Sequence, residues 1–262
     1  MAVSKNNTEK ARLQKVLSQA GLGSRREMEA WIEAGVVEVN GKVAKIGSSV
    51  AAADKLKVRG KVVQNPLRMP AKTRILIYHK PIGEIASRRD PKHNKTVFDN
   101  LPGLSKGRWI QVGRLDINTS GLMIFTNDGT LANELMHPKY QFEREYAVRI
   151  YGDVTPDMLK QLKKGVTLED GPAAFNTVVA QGGGMTNAWY HVTLSEGRNR
   201  EVRRLFAAVG VEVSRLIRIR YGTLTLPRFL SRGQHMELSS EAVQTFLKSS
   251  LEQVNHAAKS SK

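Results

Sequence analysis

Apolar positions near the start of the chain recur at helical spacing. Leu13, Val16, Leu17 and Ala20 stand at i, i+3, i+4 and i+7, which predicts one buried face of a helix, and Gly21 offers its C-terminal cap. Ser24 followed by Glu27 has the form of a capping box and predicts a second helix. Met28, Trp31 and Ile32 line its apolar face, and Gly35 stops it. The period then shortens to that of strands. Val36, Val37 and Val39 predict one, Asn40-Gly41 a tight hairpin turn, Val43 the return, and Leu56 with Val58 a further short strand. These elements form a small unit over residues 1–61, whose polar first ten residues are expected to fray. Residues 62–73 show no apolar period and contain Gln64, Asn65, Pro66, Arg68, Pro70 and Lys72, so they read as a linker.

A larger unit is expected over residues 74–250, with a tail at 251–262. Its apolar runs predict strands at 75–78, 121–126, 146–151, 175–180, 188–194 and 213–218. Helices are predicted at 131–136, 155–162, 200–209 and 239–247. Short connections, such as the glycines at 182–184, suit hairpins better than long crossovers. The expected class is α+β, with a mixed, largely antiparallel sheet.

Composition narrows the chemistry. The 262 residues hold 41 Lys and Arg against 24 Asp and Glu, a net charge of +17. Such a balance favours a polyanionic partner, nucleic acid first. The charge is denser at the front, with 13 basic and 6 acidic residues among the first 70. Arg12, Lys15, Arg25 and Arg26 fall near the first turns of the two predicted helices, as a phosphate-contacting patch or as solvated helix faces. The absence of cysteine excludes disulfides, thiolate metal sites and a cysteine nucleophile. No apolar run reaches membrane length and no apolar signal core stands at the N-terminus, so a cytoplasmic protein without a membrane partner is expected. No large exposed apolar face is evident, which suggests a monomer.

The common catalytic signatures are missing. There is no Gly-Lys-Ser/Thr phosphate loop, no Gly-x-Gly-x-x-Gly turn and no Gly-x-Ser-x-Gly elbow. His79, His93, His137, His191, His235 and His256 show no metal-ligand spacing, so no metal is expected. What remains is Gly113-Arg114-Leu115-Asp116, a polar loop leading through Ile117-Asn118-Thr119-Ser120 into an apolar strand. Taken alone, Asp116 and Asn118 are equally well turn formers.

The wider pattern carries two resemblances. Residues 12–47, with Ser24-Arg25-Arg26 between the helices and Val39-Asn40-Gly41 at the hairpin, resemble an S4 RNA-binding domain of α-L-like fold. This implies RNA contact through the helix pair, with Arg25 and Arg26 foremost. Residues 112–129, VGRLDINTSGLMIFTNDG, resemble the second motif of pseudouridine synthases of the RsuA/RluB type. Further motifs of that family stand in order around it. They are Tyr78 to Gly83 with Lys80-Pro81, Glu145-Tyr146-Ala147-Val148, Ser195 to Phe206, and Val213 to Arg218. The stretches NTSGLMIFTNDG and MHPKYQFEREYAVRIYG are most similar to the branch that modifies large-subunit ribosomal RNA.

The resemblance implies an enzyme that isomerises a uridine of 23S ribosomal RNA to pseudouridine without a cofactor. Asp116 is then the catalytic carboxylate. Tyr146 stacks on the flipped base, Leu216 lines the pocket, and Arg203 pairs with Asp116. Arg114 fills the vacated space or contacts a phosphate, and Lys80 is a phosphate ligand or simply exposed. Periodicity adds to this. Val202, Leu205, Phe206 and Val209 form the buried face of the 200–209 helix, which leaves Arg203 beside it and Arg200 and Arg204 free to reach RNA. Two rival readings are a ribosome-assembly factor on the same fold without catalysis, and a DNA-binding regulator. The second lacks a helix-turn-helix pattern.

Overall fold

The computed structural model describes residues 10–88, 95–184 and 187–260. The frayed start expected at residues 1–9, and His93, lie outside these, as does the side chain of His256. Chain packing gives two units. One holds the described residues up to Thr73 together with Pro102–Ile110 and Asn127–Gly129. The other holds Arg74–Leu101, Gln111–Thr126 and the described residues from Thr130 on.

In the first unit, helices α1 (Leu13–Gln19) and α2 (Arg25–Glu33) precede a four-stranded antiparallel sheet. Its strands are β1 (Val37–Val39), β2 (Lys42–Val43), β3 (Leu56–Val58) and β4 (Lys61–Val63), in the order β2-β1-β3-β4. The predicted apolar faces meet in one core of Leu13, Val16, Leu17, Met28, Ile32, Val37, Val50 and Leu56. The capping box forms as expected. Ser24 Oγ accepts from the Glu27 N–H at 3.1 Å, and a Glu27 carboxylate oxygen accepts from the Ser24 N–H at 2.6 Å.

The linker reading of 62–73 changes here. Strand β4 continues through Val63, and buried Asn65 donates to the carbonyls of Ala51 and Asp54 at 2.9 and 3.1 Å. These bonds fold the Pro-containing stretch back onto the unit rather than leaving it as a free connector. Pro102–Ile110 also packs in this unit. A Cβ on Gly21 would meet the Gly107 carbonyl oxygen at 2.9 Å, and Arg108 donates to the buried Ser18 hydroxyl at 3.1 Å.

The second unit is built on a nine-stranded sheet. Its principal strands are β5 (Ile75–Lys80), β6 (Ile110–Val112), β7 (Ser120–Thr126), β8 (Arg144–Tyr151), β9 (Thr177–Gly184), β10 (Asn187–Leu194), β11 (Glu212–Tyr221) and β12 (His235–Glu237). They run in the order β9-β10-β8-β11-β7-β5-β12, with β6 against β7 and the short strand Leu224–Thr225 against β11. The pair β7–β11 is parallel, while β5–β7, β8–β10, β8–β11, β9–β10 and β5–β12 are antiparallel. Helices α3 (Gly129–Met136), α4 (Pro156–Lys164), α5 (Glu201–Ala208) and α6 (Ser240–Ser260) complete it. The fold is α+β, with the sheet mixed and largely antiparallel.

Strand β7 is buried along its whole length, and β5 is buried at every position except His79. Both read as continuous apolar runs for that reason. Several boundaries differ from the sequence reading, two of them by a whole segment. Glycines 182–184, expected in a hairpin loop, belong to β9, where a register shift after Ala180 lets the glycines stay paired. The tail expected from residue 251 continues α6. Val243 and Phe246 anchor that helix, and Gln253 donates to the Tyr140 and Gln141 carbonyls at 3.0 and 3.1 Å.

Candidate active site

The loop between β6 and β7 is fixed from both ends by apolar anchors. Val112 and Leu115 are buried, Arg114 is exposed between them, and Asp116 is half-buried. A turn closes after it, where the Thr119 N–H donates to the Asp116 carbonyl at 3.0 Å. Four successive carbonyls of this loop are held by neighbouring donors. Lys80 Nζ donates to the carbonyls of Asp116 and Thr119 at 3.1 and 2.9 Å, with Ile117 at 3.5 Å. The Gly83 N–H donates to Ile117 at 2.8 Å, and Arg203 donates to Asn118 at 3.0 Å. A loop whose carbonyls are engaged at four successive positions has few ways to move, so the backbone that carries Asp116 is held in place.

Two expectations are corrected here. Lys80 is neither exposed nor free for a phosphate, because it is fully buried and its ammonium is spent on the loop and on the Pro81 carbonyl at 2.9 Å. A buried ammonium needs acceptors, and the end of β5 supplies them from its own turn and the Asp116 loop. Arg203 makes no ion pair with Asp116 within 4.0 Å among the described residues. Its guanidinium donates instead to the Val213 and Asn118 carbonyls at 2.8 and 3.0 Å. Burial lowers the Arg203 pKa from its ordinary value and nearby Arg200 adds to this, while the charge of Asp116 opposes both. Arg203 therefore braces the loop that carries Asp116 rather than pairing with its carboxylate.

Burial also pushes the Lys80 ammonium down to about 8, against the attraction of Glu84 and Asp116. Between about 8 and the ordinary 10.5, the unfolded chain keeps a proton that the folded chain has released. The contribution of Lys80 to stability is therefore complete above the upper value and lost as pH falls through the lower one. Urea midpoints of the wild type and Lys80→Met, compared at about pH 7.5 and about pH 9.5, should shift in favour of the wild type at the higher pH. An unchanged difference would remove this linkage.

Asp116 opens on a cleft of about 520 Å³. Arg114, Thr119, Tyr146, Glu196, Arg200, Glu201, Leu216 and Arg218 are among its lining residues. Tyr146 on β8 lies between Val192 of β10 and Arg218 of β11, so the centre of the sheet forms the cleft floor. Leu216 and Arg218 alternate onto the same face of β11. Arg200 enters the cleft from the α5 N-cap, held with a left-handed φ of 49°. Five predicted residues thus share one cavity: Asp116, Arg114, Tyr146, Leu216 and Arg200. Lys80 and Arg203 stand behind the loop.

Arg204 departs from its expected role. It makes a bidentate pair with Asp170 at 2.7 and 2.8 Å, and that contact first of all pulls the exposed Asp170 carboxyl down to about 2. This engagement is structural, tying α5 to a hairpin that the sequence places 34 residues away. Arg12, Arg25 and Arg26 are exposed in the first unit, with Lys15 half-buried. Arg12 is held to the Gly47 carbonyl.

Glu201 and Arg218 are among the cleft residues that the sequence does not single out. Glu201 is buried, accepts from the Arg198 N–H at 3.0 Å, and is shifted upward by burial. Arg218 is 2% exposed. Its signal was present in the alternation of β11, which puts it on the face of Leu216. Among the described residues no cluster of three or more His, Asp or Glu could hold a metal ion, and no helix is long and apolar enough to cross a membrane.

Comparison with known proteins gives the same picture. Residues 74–208 match the family model described as RNA pseudouridylate synthase, and residues 11–56 match the S4 domain. The chain is 55% identical over 233 residues to a ribosomal large subunit pseudouridine synthase B of Yersinia pestis, covering 88% of this chain and 73% of that one. It is 56% identical over 229 residues to the Escherichia coli K12 protein of the same name, covering 87% and 79%. A crystal structure of a pseudouridylate synthase shares the fold, with a TM-score of 0.61 at 24% identity over 89% of this chain and 98% of that one. Family model, relatives and fold agree: the chain belongs to the RNA pseudouridylate synthase family and is a pseudouridine synthase carrying an S4 domain.

Proposed function

We propose that the chain converts one uridine of 23S ribosomal RNA to pseudouridine, with Asp116 as the catalytic carboxylate. The observation that carries this reading is a half-buried carboxylate on a fully braced loop, opening into the cavity that Tyr146 floors. The reaction breaks the N1–C1′ bond, joins C1′ to C5, and moves the C5 proton to N1. Nothing is oxidised and no group is gained or lost. The carboxylate serves as nucleophile at C1′ or as base at C2′, and both roles need the same position. The uridine leaves its stack to reach the cavity, and Tyr146 is the stacking partner for the flipped base. Leu216 packs the base edge, and Arg114 and Arg200 meet the flanking backbone at the mouth.

The choice of large-subunit RNA rests on the relatives with 55% and 56% identity that carry that function in their names. The cytoplasm is the matching location, and one chain supplies every residue of the cleft, so a monomer suffices. In the assay, purified protein is incubated with large- and small-subunit ribosomal RNA transcripts, and pseudouridine is read as adduct-dependent primer-extension stops. One new stop in the large-subunit RNA is expected. A stop only in the small-subunit RNA would contradict the substrate assignment.

The first unit grips backbone through Arg25 and Arg26 in this reading. Each phosphate contact contributes a slope of roughly 0.7 to 0.9 in the salt dependence of binding. Arg25→Gln with Arg26→Gln should therefore flatten the slope by about 1.4 to 1.8. An unchanged slope would remove this pair from the interface.

A further inference from the structure

Arg218 is the one cleft guanidinium whose buried N–H lacks a partner among the described residues. It is 2% exposed, and Nε donates to the Leu122 carbonyl at 2.8 Å. Its Nη2 is buried without a hydrogen bond, and no ion pair within 4.0 Å offsets its charge among the described residues. Arg144, which also lines the cleft, instead spends its donors on the Ser195 and Glu196 carbonyls and the Tyr221 hydroxyl. A buried cation with an idle donor is costly unless a ligand completes it.

The position of Arg218 says which ligand. It pairs across strands with Tyr146 on one side and with Gly121 on the other, five residues after Asp116. Its guanidinium leans on the Tyr221 ring at 5.3 Å, which fixes it toward the cleft that Asp116 and Tyr146 also line. A base stacked on Tyr146 has its polar edge within the compass of this residue.

We infer that Arg218 donates from Nη2 to a carbonyl oxygen of the flipped uracil. There it holds the negative charge that the ring acquires when the N1–C1′ bond breaks. The inference rests on the pseudouridine synthase reading above. In the step, the bonding pair of N1–C1′ passes to the ring and spreads over O2 and O4. The guanidinium binds that anion while the ring turns. C5 then donates a pair to C1′, and the C5 proton ends on N1, so atoms and electrons balance. A fixed donor aimed at developing charge accelerates the step and retains the free base.

The test uses the full chain and the large-subunit RNA transcript. Arg218→Lys keeps the charge, but its single nitrogen cannot sit both at the Leu122 carbonyl, where Nε donates, and at the position of Nη2. A fall in kcat of about 100-fold, with RNA affinity unchanged, is expected. Arg218→Ala should fall further and regain part of its rate with added guanidinium ion, which a merely structural side chain would not show. A second arm leaves the protein intact and so stands if either variant fails to fold. Target uridine is replaced by 2-thiouridine or 4-thiouridine, whose sulfur accepts hydrogen bonds weakly, and wild-type kcat should drop with one of the two. A normal kcat in a folded Arg218→Lys, or wild-type rates unaffected by both thio substitutions, would overturn the inference. If wild type forms no pseudouridine on any ribosomal RNA, the underlying reading fails instead.

Discussion

Asp116→Asn should leave a folded protein that still binds RNA and makes pseudouridine at least about 10³-fold more slowly. The size follows from the chemistry. The amide has nearly the same shape and can keep the loop, whose hydrogen bonds run through its backbone carbonyls rather than through the carboxylate. It cannot attack C1′, take a proton from C2′ or offset an oxocarbenium charge. Stability and RNA affinity therefore stay near wild type while kcat collapses. A variant of wild-type rate would remove Asp116 from the reaction. A variant that unfolds would show that the carboxylate, and not the braced backbone, carries the loop.

Gly121→Ala is the second large effect, and it acts on the sheet. Gly121 has a φ of +114°, and a Cβ there would lie 2.3 Å from the Arg218 carbonyl oxygen and 2.5 Å from its nitrogen. Both are backbone atoms, so no side chain can swing away. The strained φ adds to the clash. Together they should cost about 3 kcal/mol or more, among the larger values for a single methyl group. The damage is local to β7–β11, the parallel pair that joins the Asp116 loop to Arg218. Activity should fall at temperatures where the protein is still folded. An unshifted urea midpoint would mean that the two strands separate more readily than this packing implies.

Much of the site was legible in the sequence because its signals are local. The helix faces, the capping box at Ser24 and the order of motifs around Asp116 each lie within a short stretch. Lys80 was misread because its surroundings are not local. A lysine at a strand end looks solvated, and only the close approach of residues 116–119, some 36 to 39 positions on, buries it. Arg204 was misread for the same reason, since Asp170 stands 34 residues before it. Arg203 was found but assigned the wrong contact, because one turn of loop decides whether its fork meets a carboxylate or a carbonyl. Arg218 could have been found by extending the period-2 pattern two residues beyond Leu216. An arginine on a buried strand face marks either an ion pair or a ligand site, and among the described residues no carboxylate answers it.

The most direct test of the central claim is a map of pseudouridine across all ribosomal RNA from cells lacking this protein, compared with the same cells after it is restored. One large-subunit uridine should be unmodified without the protein, regain full modification with the wild type, and stay unmodified with Asp116→Asn. Identical maps in all three, or restoration by Asp116→Asn, would contradict the account.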